Sequence, residues 1–321
     1  MTDKPAVLVT RRLPEAVQER LTRDYTPRFN ADDHVYSTDE LLALSSDVDA
    51  ILPCHTERFS PDVIAALPDR VRIIANFSVG VDHVDLAAAR DRGIVITNTP
   101  DVLSDATAEI AILLMLGAAR RASEGDRLVR AGEWRDWSPA FMVGRQVTGK
   151  RLGIVGMGRV GQVVAKRAHG FDMAVHYYNR RRVAAKLEQG AVYHDTLDGL
   201  LAEADYLSLN CPATPETQGL LNADRIDMLP DGAIVVNTAR GALVDDKALI
   251  AGLTSGKIAA AGLDVFNGEP AIDPEYLGLK NVFLLPHIGS ATKETRDAMG
   301  FRALANLDAF FAGQEPGDRV A

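Results

Sequence analysis

The chain has 321 residues, enough for one large or two ordinary domains, each with a proper core. With 47% hydrophobic and 25% charged residues it reads as a soluble globular protein. Its net charge of −9 argues against a general affinity for nucleic acid, which needs clustered Lys and Arg.

No apolar run approaches the roughly 20 residues that span a bilayer, so no membrane partner is expected. The longest run, "IAILLMLGAA" from Ile110 to Ala119, reads as a buried helix. The first ten residues do not resemble a signal peptide. Cys54 and Cys211 have neither metal-ligand nor disulfide spacing, so no metal site is expected and a reducing cytoplasm is. Each thiol reads as a small buried hydrophobe.

Short β-rich runs alternate with helical patterns almost throughout, which predicts parallel sheets built from βαβ units. "AVLVT" opens the series, followed by a helix over Pro14 to Arg23. A helix with its N-cap at Thr38 precedes "DAILPC"; then come "VRIIANFSVG", the helix "DLAAARDRG" stopped by Gly93, and "IVITNTP". That is already a small α/β domain.

One long helical pattern runs from about Ala106 to Arg130, followed by an irregular segment holding Trp134 and Trp137. Two tryptophans so close are usually anchors in a packed surface or an interface. A second α/β domain begins at Arg151 and continues through "MAVHYYN", "DYLSLNCP", "AIVVNTAR", "AAAGLDVF" and "NVFLLPH". Thr292 to Ala312 reads as one amphipathic helix with Phe301, Leu304, Leu307, Phe310 and Phe311 on its apolar side.

"LGIVGMGRVGQ" carries Gly156, Gly158 and Gly161 in the spacing G-x-G-x-x-G, between a β-branched strand and a helical pattern. In a dinucleotide-binding turn, Gly156 permits the tight bend, Gly158 lets the backbone approach a pyrophosphate, and Gly161 lets the helix lie close to the strand. The helix N-terminus adds N–H groups and a positive dipole end. A site selective for NAD places an acid about 20 residues further on, to bind the ribose 2′-hydroxyl. Here Asn179 takes that place, and Arg180, Arg181 and Arg182 follow. An acid would repel a 2′-phosphate, whereas guanidinium groups bind it with charge-assisted hydrogen bonds. NADPH is therefore the expected cofactor and NADH the possible one; the competing reading is a solvated charge run after a strand.

With the later segments included, the chain resembles the D-2-hydroxyacid dehydrogenases, and most of all their glyoxylate/hydroxypyruvate reductase branch. The resemblance covers nearly the whole length and rests on "NFSVGVDHVDL", "NTPDVLSDATAE", "GIVGMGRVGQ", "LNCPATPETQGL", "VVNTARGALVDDKAL", "AGLDVFNGEP" and "PHIGSAT". It implies an α/β fold of two Rossmann-like domains with parallel sheets. The dinucleotide-binding domain, 101–289, is inserted into a discontinuous substrate domain, 1–100 with 290–321. That arrangement would explain why the glycine turn comes so late.

The resemblance also implies a catalytic set: Arg240 in "NTARG", Glu269 in "NGEP" and His287 in "PHIGS". Reducing a 2-keto acid needs a hydride, a proton for the new alkoxide and a cation for the carboxylate. His287 would give the proton. Glu269 would hydrogen-bond the other ring nitrogen, fixing the tautomer and stabilising the imidazolium. Arg240 would hold the carboxylate and polarise the keto oxygen. Formate dehydrogenases, which share the fold, carry Gln where this chain has Glu269.

Val79 and Gly80 in "SVGVD" would offer backbone N–H groups to the carboxylate. Thr107, Arg159, Val160, Cys211, Pro212, Thr217, Thr238, Ala239, Asp264 and Gly289 match positions along the cofactor, Asp264 ordering either the nicotinamide amide or Arg240. In that branch the tryptophan region forms a homodimer contact, and a Trp matching Trp137 reaches the partner's substrate pocket.

The leading expectation is thus an NADP-preferring reductase of glyoxylate and hydroxypyruvate. Another 2-hydroxyacid dehydrogenase, such as 3-phosphoglycerate dehydrogenase or 2-ketogluconate reductase, is the alternative within the class. Many 3-phosphoglycerate dehydrogenases carry a further C-terminal domain. A nucleotide-sensing corepressor on the same fold is the alternative from another class, disfavoured by the acidic charge and short tails.

Overall fold

The computed structural model describes residues 4–321. They divide into two compact units, one running up to Leu103 and resuming over Ala291–Ala321, the other Ser104–Ser290.

The first unit is built on five parallel strands: β1 (Ala6–Val9), β2 (Thr26–Phe29), β3 (Ala50–Leu52), β4 (Ile73–Ala75) and β5 (Val95–Thr97). They lie in the order β2-β1-β3-β4-β5. Alternate residues feed two cores, as the two-residue period of a strand requires. Val7, Val9, Leu52 and Ala75 pack with Leu304 and Leu307 of the closing helix. Leu8, Ile51, Ile74 and Ile96 pack on the opposite face.

Two expectations need correction here. The helix Thr38–Leu44 is capped by Ser37 rather than Thr38: the Ser37 hydroxyl accepts the Glu40 N–H while the Glu40 carboxylate accepts the Ser37 N–H. In the closing helix, Lys293–Phe311, Phe301 is 37% exposed. The buried stripe runs through Gly300, Ala303, Leu304 and Leu307, and Phe301 lies past its edge.

The second unit holds seven parallel strands: β6 (Arg151–Val155), β7 (Ala174–Tyr178), β8 (Val192–His194), β9 (Tyr206–Leu209), β10 (Ala233–Asn237), β11 (Ile258–Leu263) and β12 (Val282–Leu284). Their order is β12-β11-β10-β9-β6-β7-β8. The chain starts at β6, fills one side with β7 and β8, then returns to the other side with β9. β6 and β9 therefore flank the topological switch point, where an open α/β sheet leaves a crevice beyond its carboxyl ends.

The single helix expected over 106–130 is two, Ser104–Ala119 and Ala122–Arg130. Arg121 stands between them in the left-handed region, φ 54°, with its guanidinium on Glu124 at 2.8 and 2.9 Å. The first helix buries ten residues and the second none, so the break falls where the buried environment ends. Among the described residues, no helix is long and apolar enough to cross a membrane.

Candidate active site

The site is built at the carboxyl ends of the second unit's strands. After β6, Gly156 turns with φ 101° and donates its N–H to the Tyr178 carbonyl at 3.0 Å. A Cβ on Gly156 would stand 2.6 Å from the Cys211 nitrogen, and one on Gly161 would stand 2.2 Å from the Gly156 oxygen. Both close approaches demand glycine. A Cβ on Gly158 would meet nothing within 4 Å. Gly158 is the N-cap of the helix Arg159–Ala168, so it leaves open space before that helix end and the N–H groups that Arg159 and Val160 begin. Thr238 Oγ1 and Asn210 Oδ1 are buried without a hydrogen-bond partner among the described residues, two polar atoms that call for a ligand or water. A glycine cradle, an open helix N-terminus and orphaned polar atoms together fit a dinucleotide.

After β7, the Asn179 side-chain oxygen accepts the Met157 N–H at 2.7 Å, fastening the glycine turn to the next strand end. Arg180 and Arg181 are exposed and make no ion pair among the described residues. Arg182 turns into an ion pair with Glu188. After β9, Thr217 Oγ1 donates to the Pro212 carbonyl and accepts the Thr214 N–H, each at 2.8 Å, closing the loop that starts at Cys211. Burial pushes the Cys211 thiol up to about 11 and the Cys54 thiol up to about 12, so neither is a ready nucleophile.

The turn after β10 is shaped by Asn237, whose side chain accepts the Ala239 N–H at 3.0 Å and donates to the Arg240 carbonyl at 2.8 Å. The Arg240 guanidinium donates to the Ala239 carbonyl at 2.7 Å. The next residue, Gly241, lies against the backbone that leads to Glu269: a Cβ there would stand 1.9 Å from the Phe266 carbonyl carbon and 2.3 Å from the Asn267 nitrogen. Neither Asn237 nor Gly241 was among the expected site residues. A glycine directly after the arginine in "NTARG" was the available signal.

Asp264, 1% exposed, follows β11 and spends both oxygens on the backbone after β12. It accepts the Ile288 N–H at 2.8 Å and the Gly289 N–H at 2.7 Å. Both carboxylate oxygens are thus engaged by the 288–289 backbone. Burial raises this carboxyl above its ordinary range despite the two N–H donors. Thr107 closes the same corner, since a Cβ on Gly289 would meet Asp264 at 3.1 Å and Thr107 at 3.5 Å.

The anchored backbone holds His287 in the left-handed region, φ 54°, a strained choice for a non-glycine residue. Its Nδ1 lies 2.7 Å from one oxygen of Glu269, whose other oxygen accepts the Phe266 N–H at 2.7 Å. With Nδ1–H given to a carboxylate, proton exchange belongs to Nε2. The structure thus brings Arg240, Glu269 and His287 onto neighbouring strand ends.

In the first unit, the loop after β4 has its carbonyls tied down. Ser78 accepts the Thr99 N–H at 2.9 Å, Val79 accepts the Asn98 amide at 2.8 Å, and Gly80 accepts the Ser78 hydroxyl at 2.6 Å. The Val79 and Gly80 N–H groups have no hydrogen-bond partner among the described residues, an arrangement suited to an anion. Trp137 is 76% exposed and Trp134, its indole N–H on the Asp136 carbonyl, is 57% exposed.

The family profile "D-isomer specific 2-hydroxyacid dehydrogenase, NAD binding domain" matches residues 112–289. A glycerate dehydrogenase from Hyphomicrobium methylovorum is 44% identical over 97% of this chain and 98% of its own. A glyoxylate reductase from Pyrococcus furiosus is 44% identical over 98% and 94%. Among solved structures, the NADPH-dependent glyoxylate/hydroxypyruvate reductase of Sinorhizobium meliloti, in complex with NADP and malonate, superposes with a TM-score of 0.88. It is 34% identical, covering 99% of this chain and 97% of that one.

Proposed function

The chain belongs to the D-isomer specific 2-hydroxyacid dehydrogenase family, and from that premise we propose that it reduces glyoxylate and hydroxypyruvate to the 2-hydroxy acids, preferring NADPH to NADH. The observation that carries the reading is the 2.7 Å pair of His287 and Glu269. It orients an imidazole whose second nitrogen would carry the transferred proton, two strands along the sheet from Arg240.

When bound, the nicotinamide supplies the hydride for the keto carbon. His287 delivers the proton to the oxygen that becomes the hydroxyl, and Glu269 stabilises the ring's charge and fixes its tautomer. Arg240 grips the carboxylate and draws electron density from the keto oxygen through its planar fork. The Val79–Gly80 loop is assigned to carboxylate binding on its own two N–H groups.

The backbone from Gly156 to Gly161, the loop from Cys211 to Thr217, and Thr107, Thr238, Ala239 and Gly289 would hold the dinucleotide; Asp264 acts through the backbone it anchors. Asn179, Arg180 and Arg181 stand where an NAD site carries an acid, which supports NADPH, as does the likeness to the NADPH-dependent reductase.

Trp134, Trp137, Phe141 and Val143 are exposed apolar residues within ten positions, and an apolar patch of this kind marks an interface. We extend the proposal to a homodimer, which should elute near twice 34.6 kDa. The two free thiols suit a cytoplasmic location. A steady-state screen of glyoxylate, hydroxypyruvate, pyruvate and 2-ketogluconate with both cofactors tests the reading. Failure to turn over any keto acid would refute it in favour of a nucleotide-sensing role.

A further inference from the structure

The three arginines after β7 divide into one that is held and two that are presented. Arg182 meets Glu188 side-on, Nε on Oε1 at 2.6 Å and Nη2 on Oε2 at 3.0 Å. The Tyr177 hydroxyl donates to the same Oε1 at 2.6 Å. Tyr177 belongs to β7 and is fully buried, and Glu188 is only 8% exposed. The Arg182 guanidinium lies over the Tyr193 ring of β8, 5.6 Å from its centre. The arginine is thereby pinned to two strands through one carboxylate and one aromatic face.

The segment that carries Glu188 is fastened in turn. Gln189, left-handed at φ 53°, donates its amide to the Gln162 carbonyl at 3.2 Å, and its own carbonyl lies 2.9 Å from His169 Nε2. Gln162 lies in the helix that starts at the glycine turn, and Asn179 ties to that turn through Met157. Asn179, Arg182, Glu188 and Gln189 are therefore each anchored, whereas Arg180 and Arg181 are exposed and make no ion pair among the described residues. A carboxylate that neutralises Arg182 also removes it from the set of cations open to a phosphate.

We infer that Glu188 is a positioning residue for cofactor selectivity: by clamping Arg182 against Tyr177, it fixes the loop that presents Arg180 and Arg181 to a 2′-phosphate. The inference rests on the NADPH reading above. A loop ordered before binding spares the ligand the cost of ordering it, and that saving falls on the 2′-phosphate alone.

The test is calorimetric binding of 2′,5′-ADP and of 5′-AMP to the full-length protein and to Glu188→Gln, which keeps the volume and loses the charge. Wild type should bind 2′,5′-ADP the more tightly. In the variant that preference should fall roughly three- to tenfold, with 5′-AMP affinity kept within about twofold. Tyr177→Phe, which removes one hydroxyl from an otherwise intact core, should shift the preference the same way and keeps the test open if Glu188→Gln folds poorly. A preference that is unchanged overturns the inference. So does one that rises, because Arg182 would then be a phosphate ligand that Glu188 restrains. A wild type with no preference overturns the NADPH reading itself, so the two failures are distinguishable.

Discussion

Glu269 holds His287 with one carboxylate oxygen and the Phe266 backbone with the other, each at 2.7 Å. The ring is thus oriented by a group that is itself immobilised, which is what a proton donor needs if its geometry is to survive each turnover. In Glu269→Gln the carbonyl can keep the Phe266 N–H, but the amide then faces Nδ1 and no longer stabilises a charged ring. The expected loss in kcat is roughly 10- to 100-fold, and in His287→Ala roughly 10²- to 10⁴-fold. Cofactor affinity, read by fluorescence titration, should stay near wild type in both. Wild-type turnover in His287→Ala would remove the residue from the chemistry.

Gly241 makes a prediction that touches neither Arg240 nor Glu269. A Cβ 1.9 Å from the Phe266 carbonyl carbon cannot be accommodated, so Gly241→Ala must push the two loops apart. Overpacking of this kind costs about 1–3 kcal/mol. Denaturant unfolding should show that loss, and kcat/KM for glyoxylate should fall more than tenfold in protein that remains folded. Full activity with unchanged stability would mean that the loops move independently.

Arg240→Lys separates charge from shape. An ammonium keeps the positive charge but cannot hold a carboxylate with two parallel N–H groups. Losing one charge-assisted hydrogen bond, about 1.5–3 kcal/mol, predicts roughly a 10- to 100-fold drop in kcat/KM for glyoxylate. The KM for NADPH should be unaffected. An unchanged value for glyoxylate would show that Arg240 does not grip the substrate.

How much of this was legible depended on whether the determinant lay in the local sequence. The glycine turn was readable because its spacing is local, and Gly156 and Gly161 sit at approaches only glycine allows. Arg240, Glu269 and His287 were each readable within a short motif. What Asp264 binds was not: its two N–H partners lie on a segment about two dozen residues away, and only the register of β11 with β12 brings them together. The break at Arg121 was also hidden, because "GAARRASEG" keeps helical composition and the left-handed turn is set by where burial ends. The Ser37 cap, by contrast, is set by purely local sequence. Two hydroxyl residues compete at 37 and 38, and only Ser37 has Glu40 three positions on.

The proposed 2′-phosphate site carries a pH signature of its own. Glu188 is held down to about 2 by the hydrogen bonds of Arg182 and then Tyr177. Because its folded value is depressed, the clamp's ionic contribution is present above the ordinary carboxylate range and is lost only as pH falls toward about 2. The loop therefore does not titrate at neutral pH, whereas a phosphate monoester takes its second charge near pH 6. The ratio of kcat/KM for NADPH to that for NADH, measured with the same keto acid so that the proton donor's own pH dependence cancels, should climb between pH 5 and pH 7 and then level. Replacing Arg180 and Arg181 with Gln should flatten that climb and lower the ratio by about tenfold, the low end for two exposed cations. Adding Asn179→Asp should begin to recover NADH use, since one carboxylate oxygen can keep the Met157 N–H while the other accepts a ribose hydroxyl. A wild-type ratio that stays flat across this range would show that the guanidinium groups do not meet the phosphate.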